Sequence, residues 1–523
     1  MKTLFALAMA AMVPTLRPAV AQRADTTREP TPYDELRLFS SVLNQIRVNY
    51  LDSVSYRVLV RAAIDGMLHA LDPHSYFMPR REWERWMAFE RGELPGVGLA
   101  LEQEDSLVTV LGVIPGSPAA KAGIQAGDRI ATINDTAVAG LKAADAALRL
   151  AGPKGSKVGL RMERGSRFDP DTLSVVLTRD ALNPPVTVSG MADRATGYAW
   201  LAAFGPKAAD EMRDALRGLE RRGARRFILD LRDNPGGIAQ QAVDIAAQFL
   251  PKGAVVFRTK GRSPDATKDY VTSRDGPFRD VPLIVLINER SASAAEALAG
   301  SLQDHDRALI IGRRSFGKAL VQTEFLLMPG GDVVMLTIAR VVTPSGRVIQ
   351  RRYRGIGYEQ YWSLAGKSGA AEDTLAVFRT DHGREVRGGG GIVPDVPLPA
   401  PPDLPVWWSV AADSGFGIAV ADSVAATLPP TPAAREQWMS DSARWSAALL
   451  ASVLERVRTR LHVSAQPESG LAARLALQLA TRVAAVRWPP DGGDELRIRN
   501  DVNIRVALTY FPRLPNLLST PGR

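Results

Sequence analysis

With 523 residues the chain is too long for one hydrophobic core and should divide into several domains. Its 46% apolar and 23% charged residues are ordinary for a globular protein, and the absence of cysteine excludes disulfides, thiolate catalysis, zinc–thiolate sites and lipid attachment through an N-terminal cysteine. The net charge of +9 is scattered over small groups such as Arg221-Arg222, Arg225-Arg226 and Arg351-Arg352, without a basic tail or interleaved aromatics, so it reads as solvated faces and not as a nucleic-acid surface.

Lys2 precedes an apolar stretch from Leu4 to Val13, and Ala19-Val20-Ala21 offers an A-x-A cleavage site, so residues 1–21 read as a secretory signal. The stretch is too short to span a bilayer and is broken by Pro14, Arg17 and Pro18. No other stretch is long and apolar enough to span. The expected destination is a bacterial periplasm or the cell exterior.

From Tyr33 to Leu94 the pattern is helical. Leu36, Phe39, Val42, Leu43 and Ile46 form one stripe, and Val58, Leu59, Ala62, Ala63 and Leu68 another. Asp72-Pro73 ends the second helix. His74 and Ser75 follow at once, but an Asp-Pro-polar cluster is mainly turn chemistry, and a turn is the expected role.

Residues Gly92 to Asp180 alternate as short strands with many turns and one short helix. Leu107 to Leu111 is a strand, and Pro115-Gly-Ser-Pro-Ala-Ala-Lys-Ala-Gly-Ile-Gln-Ala-Gly-Asp-Arg-Ile-Ala-Thr-Ile-Asn134 resembles the small helix, turn and strand of a PDZ domain. Such domains take an extended peptide as an added strand and capture its C-terminal carboxylate in a nest of backbone N–H groups. Gly96-Val97-Gly98-Leu99 is placed to be that loop; on its own it reads equally as a hairpin turn.

An α/β region follows. Gly197 to Phe204 is a strand, Lys207 to Arg221 a helix with Met212, Leu216 and Leu219 on one face, and Phe227 to Arg232 a buried strand. The last runs into Asp233-Asn234-Pro235-Gly236-Gly237 before a helix from Gln240 to Leu250. Leu283 to Ile287 is a continuous apolar run, the pattern of a strand buried on both faces. Asn288-Glu289-Arg290 turns the chain into a small-residue helix from Ala294 to Leu302, with Ser293 at the junction. Free N–H groups at that helix start suit an oxyanion. Ser293-Ala294-Ala295-Glu296 also fits a capping box, which gives Ser293 a purely local role. His305 belongs to the end of this helix, and the five histidines show no metal-ligand spacing.

After a strand from Ala308 to Gly312 comes Arg313-Arg-Ser-Phe-Gly-Lys318-Ala-Leu-Val-Gln322. The serine at the end of Ser291-Ala292-Ser293, the lysine 25 positions on at Lys318 and the glutamine four later at Gln322 resemble the Ser-Lys carboxy-terminal processing, or tail-specific, proteases. Ala63 to Pro79, Asn234-Pro-Gly-Gly237, Val342-Thr-Pro-Ser-Gly346 and Gly388 to Asp395 resemble the same family. The resemblance implies an α+β, multidomain chain: an α/β protease core of the ClpP/crotonase-like kind, a PDZ-like domain inserted after an N-terminal helical region, and a helical C-terminal extension. It implies Ser293 as nucleophile, Lys318 as general base, Gln322 as the residue orienting the amine, and an oxyanion hole from Gly236 or Gly237 with Ala294. A lysine serves as base only if burial lowers its pKa and no carboxylate pairs with it. Residues four apart in a straight strand are roughly 13 Å apart, so Lys318 and Gln322 converge only if the chain bends after Gly317.

The expected divisions are a signal at 1–21, a helical region at 22–92, a PDZ-like domain at 93–181, a protease core at 182–400 and a mainly helical extension at 401–523. Within them Thr323 to Met328 and Val333 to Ile338 form a hairpin, Tyr353 to Val377 reads as a surface insertion, and Leu398 to Pro405 as a linker. Ala443 to Leu461 and Leu471 to Trp488 are helices, and Trp407, Trp408, Trp438 and Trp445 are packing residues. No metal or organic cofactor is called for. Expected partners are proteins or peptides with free apolar C-termini; the resemblance also admits an adaptor and self-association. The competing reading is a silent PDZ-containing adaptor on the same scaffold, with Ser293 a cap and Lys318 ion-paired. A trypsin-like enzyme would need a histidine and an aspartate at the serine.

Overall fold

The computed structural model of the chain describes residues 31–90, 94–104, 107–114, 116–125, 127–165, 170–182, 185–327, 331–362, 376–413, 416–462 and 469–519. The signal expected over 1–21 and part of the expected insertion lie outside the described residues.

The chain divides into a unit of residues 1–67 and a second of residues 68–523. In the first, Thr31 caps the helix Pro32–Asn49 in a capping box with Asp34, whose carboxylate takes the Thr31 N–H at 3.0 Å. The apolar stripe expected of this helix is present, yet none of its residues is buried. The helix Tyr56–Leu71 follows.

The expectation of helix throughout Tyr33 to Leu94 fails after Asp72. Tyr76–Met78 is a strand, paired antiparallel with Val333–Met335, and only then does the helix Arg80–Glu90 begin. Three residues are too few to show a period of two, so long-range pairing decided their conformation.

Among the described residues, the strands Leu99–Glu104, Leu107–Val113, Arg129–Ile133, Lys157–Gly165 and Pro170–Thr178 form an antiparallel sheet in that order, with Thr136–Ala137 beside the third. Val108, Val110, Ile130, Ile133, Leu160 and Met162 fill its core. Leu99–Glu104 is an edge strand, and the helix Ala143–Leu150 packs against it.

The central sheet has the order Thr187–Met191, Thr196–Leu201, Arg226–Asp230, Leu283–Ile287, Leu309–Gly312, Val396–Pro397, with all but the first pair parallel. Leu283 to Ile287 are all buried, and their side chains alternate between two cores. Leu283, Val285 and Ile287 join the cluster roofed by the helices Ala208–Arg221, Ala239–Ala246 and Ala294–Asp304. Ile284 and Leu286 join a second cluster completed by Ile498, Ile504, Ala507, Phe511 and Leu514. The last helices of the chain therefore cover the other face of the sheet, which gives the extension a physical role in core support. Arg232 ties them down between Asp230 and Asp501 at 2.6 and 2.9 Å. Helices from Val406 to Arg487 hold a separate core in which Trp408 and Trp445 are buried and Trp407 and Trp438 pack, as expected.

Candidate active site

Two neighbouring parallel strands, Arg226–Asp230 and Leu283–Ile287, end side by side, and the turns that follow them are laced together. Asn288 Oδ1 accepts from the Asp233 N–H at 2.9 Å, and Asn288 Nδ2 donates to Asp233 Oδ1 at 3.0 Å. Ser291 is fully buried and its Oγ donates to the Leu231 carbonyl at 2.7 Å, so the first serine of the Ser-Ala-Ser segment is an anchor. The Ala292 N–H donates to the Asn234 carbonyl at 2.9 Å.

This bracing holds Ser293 at φ 57° and ψ −116°, a backbone conformation that costs a non-glycine residue on the order of 1–3 kcal/mol and that clusters at functional sites. It places the serine at the start of the helix Ala294–Asp304. The capping box is present in outline, but its well-formed half is the carboxylate one: Ser293 N–H donates to Glu296 Oε2 at 2.9 Å. The Glu296 N–H binds the Ser293 carbonyl at 2.9 Å, and the Ser293 hydroxyl makes no side-chain cap hydrogen bond.

Gly236 and Gly237 lie against this elbow with φ of 99° and 139°. A Cβ on Gly236 would stand 2.8 Å from both the Ala292 carbonyl oxygen and the Ser293 Cβ, so only glycine fits. The Gly236 N–H is already given to Asn234 Oδ1 at 2.8 Å. The N–H groups of Gly237 and Ala294 donate to no described group.

Lys318 arrives on a loop from Arg313 that ends at the strand Leu320–Leu327. Glu296, with no exposed surface, joins that loop to the serine elbow. Its Oε1 accepts from Ser315 Oγ at 2.5 Å and the Gly317 N–H at 2.6 Å, and its Oε2 accepts from the Lys318 N–H at 2.8 Å. Because Oε2 also holds the Ser293 N–H, the backbone nitrogens of Ser293 and Lys318 lie within about 6 Å of each other. Burial outweighs these four donors and lifts the Glu296 pKa to about 7.

Burial also lowers the Lys318 pKa from its ordinary value, against the pull of Glu296 and Asp72. Among the described residues the Lys318 ammonium has no ion pair and no hydrogen bond, so no acid holds it. No hydrogen bond joins it to Ser293 Oγ or to Gln322.

Gln322 lies in the hairpin Leu320–Leu327 with Asp332–Val342, where the register slips by one residue between Val321 and Gln322. This bulge and the irregular start at Lys318 supply the bend that a straight strand lacks. Gln322 Nε2 donates to Thr337 Oγ1 at 3.0 Å.

The turn expected at Asp72 is present: Asp72 Oδ1 accepts from the N–H groups of His74 and Ser75 at 2.8 and 2.9 Å. It is also buried beside the lysine. Burial and the Lys318 cation together lower the His74 pKa to about 4, and His74 Nε2 lies 2.7 Å from the Tyr361 hydroxyl. Sequence reading missed the proximity of Asp72, Thr337 and Tyr361 to the site. It took Glu296 for a cap; the available signal was that the S-x-x-E pattern begins at the candidate nucleophile itself. His305 is structural, bonded to Asp381 at 2.7 Å and to the Val255 carbonyl at 2.8 Å.

The loop Gly96-Val97-Gly98-Leu99 precedes the edge strand of the antiparallel sheet. Gly98 has φ 90° and backs onto Ser117, while the Val97 and Gly98 carbonyls accept from the Ala119 and Ile114 N–H groups, both at 2.9 Å. The N–H groups of Val97 and Gly98 donate to no described group.

The family model for Peptidase family S41 matches residues 195–361, and that for a PDZ domain matches residues 109–164. The carboxy-terminal-processing protease of Bartonella bacilliformis is 35% identical over 342 residues, covering 65% of this chain and 77% of that protein. The carboxy-terminal processing protease CtpA of Bacillus subtilis is 31% identical over 336 residues, covering 64% of this chain and 70% of its own. Among solved structures, a photosystem II D1 C-terminal processing protease aligns at 27% identity over 70% of this chain and 87% of its own, with a TM-score of 0.39.

Proposed function

The chain belongs to the carboxy-terminal processing protease family and is a serine-type peptidase with a PDZ domain, and from that premise we propose that it cleaves by a Ser293–Lys318 dyad. The observation that carries this reading is the Glu296 carboxylate, which gathers the Ser293 and Lys318 backbones on one oxygen atom while the lysine amine stays free of any described acid. Ser293 Oγ attacks the substrate carbonyl as the neutral Lys318 amine takes its proton. The N–H groups of Ala294 and Gly237 receive the oxyanion; Gly236, whose N–H is committed to Asn234, shapes the pocket instead. Lys318 then returns the proton to the leaving amine, and a water repeats the cycle on the acyl-enzyme. Gln322 orients the amine. Apo sites often hold such groups beyond hydrogen-bond reach until substrate closes them, which suits the unbonded Ser293 and Lys318 side chains. The adaptor reading requires Lys318 to be ion-paired, and among the described residues it is not.

Residues 93–181 act as the recognition module, 182–400 as the catalytic body and 401–523 as support for it. The free edge of Leu99–Glu104 beside the helix Ala143–Leu150 suits an added peptide strand, and the unused N–H groups of Val97 and Gly98 suit its terminal carboxylate. The substrates are chains with free, apolar C-termini, brought directly or by an adaptor. The signal pattern at 1–21 supports export, and among the described residues no helix is long and apolar enough to cross a membrane. The unburied apolar stripe of Pro32–Asn49 supports self-association.

The test compares one peptide with a free apolar C-terminus and with an amidated one, alongside Ser293→Ala. Amidation is expected to raise KM about tenfold or more with kcat nearly unchanged, since a nest of N–H groups loses its anion. Equal KM for the two peptides would remove the carboxylate reading, and turnover by Ser293→Ala would remove the dyad.

A further inference from the structure

Gln322 stands directly opposite Thr337 at the slip in the hairpin register. Its Nε2 donates to Thr337 Oγ1 at 3.0 Å, and Thr337 Oγ1 donates to Asp72 Oδ1 at 3.1 Å. Asp72 is 7% exposed and held from every side. Beyond the two N–H groups of its turn, its Oδ2 accepts from Ser75 Oγ at 2.8 Å, and Ser75 Oγ accepts in turn from the Thr337 N–H at 3.1 Å. The short strand Tyr76–Met78, paired with Val333–Met335, delivers this turn to the hairpin.

We propose that Asp72, acting through Thr337, fixes which end of the Gln322 amide faces Lys318, so that Asp72 and Thr337 are positioning residues of the active site. The inference rests on the reading of Gln322 as the residue that orients the lysine. A carboxylate only accepts hydrogen bonds. Thr337 therefore spends its single hydroxyl proton on Asp72 and offers Gln322 a lone pair. Gln322 meets that lone pair with its amide nitrogen, and its carbonyl oxygen is left at the other end as an acceptor.

That polarity is the one a lysine base needs. A neutral amine must keep its lone pair for the serine proton and be held by its N–H groups, which a carbonyl oxygen can accept. The reversed amide would present an N–H to the amine. It would occupy the lone pair before reaction and oppose the ammonium after it. A glutamine alone has no preference between the two orientations; a chain that ends on a buried carboxylate does.

The experiment is a double-mutant cycle on peptide turnover, with folding checked by circular dichroism and melting temperature. Thr337→Val keeps the shape and removes the hydroxyl; it is expected to lower kcat about tenfold or more with KM within about twofold. Thr337→Ser restores the hydroxyl and is expected to return kcat to within about threefold of the wild type. In a Gln322→Ala background, Thr337→Val should change kcat by less than about twofold, because its effect passes through the amide. Wild-type kcat in Thr337→Val, or a tenfold loss that persists without Gln322, overturns the proposal. Wild-type kcat in Gln322→Ala beside inactive Ser293→Ala and Lys318→Ala removes the parent role of Gln322 and the proposal with it, whereas a slow Gln322→Ala leaves the Thr337 result to judge the proposal alone.

Discussion

Replacing Lys318 with alanine is expected to lower kcat at least about a thousandfold while KM for a peptide with a free C-terminus stays within about threefold. The size follows from the absence of a substitute. His305 is committed to Asp381 and the Val255 carbonyl, and His74 is held by Tyr361 with its pKa lowered to about 4. Neither stands ready to accept the serine proton. Lys318→Arg should not recover the rate, because a guanidinium stays protonated throughout the working range. The wild-type pH profile follows from the same residue. A base must be unprotonated, so kcat/KM should rise with pH through one ionisation whose midpoint lies below the ordinary lysine value of 10.5, in the direction set by burial. A flat profile, or a Lys318→Ala variant with wild-type kcat, contradicts the assignment.

Glu296→Gln is the second large effect, and it should appear in both activity and stability. The carboxylate holds a pair of donors on each oxygen: Ser293 and Lys318 N–H on one, Gly317 N–H and Ser315 Oγ on the other. An amide has one oxygen, so whichever way it turns, its NH2 faces a pair that needs an acceptor. Leaving such donors buried and unsatisfied costs about 2–4 kcal/mol. The elbow and the lysine loop lose their common tie, and a displacement of about 1 Å at the reacting groups is enough for a hundredfold loss of kcat.

The pH dependence carries a definite sign. Burial raises the folded-state pKa of Glu296 from 4.5 to about 7, so its contribution to stability is fully present below about pH 4.5 and is lost as pH rises to 7. Melting temperatures of the wild type and Glu296→Gln measured across that window should converge as pH rises. Parallel curves, or a variant with unchanged kcat, contradict the role given to Glu296.

Much of the fold and part of the site were legible from local pattern. The run Leu283 to Ile287 announced a strand buried on both faces, and the helix after Ser293 began where expected. The run carried no information about what would cover the second face, because Ile498, Ile504 and Phe511 lie more than 200 positions away. Spacing alone brought Ser293, Lys318 and Gln322 forward together. Glu296 stayed hidden because a capping glutamate and a carboxylate bridging two loops share one local pattern, and they separate only when Ser315, Gly317 and Lys318 fold over it. Asp72 was hidden by distance: its turn was readable, but the hydrogen bond to Thr337 spans 265 positions and depends on a three-residue strand too short to show a period.

The most direct measurement is the rate and position of covalent labelling by a serine-directed fluorophosphonate, followed across pH and located by peptide mass spectrometry. The account predicts a single adduct on Ser293, formed faster as pH rises and slowed at least about a hundredfold in Lys318→Ala. An adduct on another residue, or labelling of Ser293 at the wild-type rate without Lys318, would contradict it.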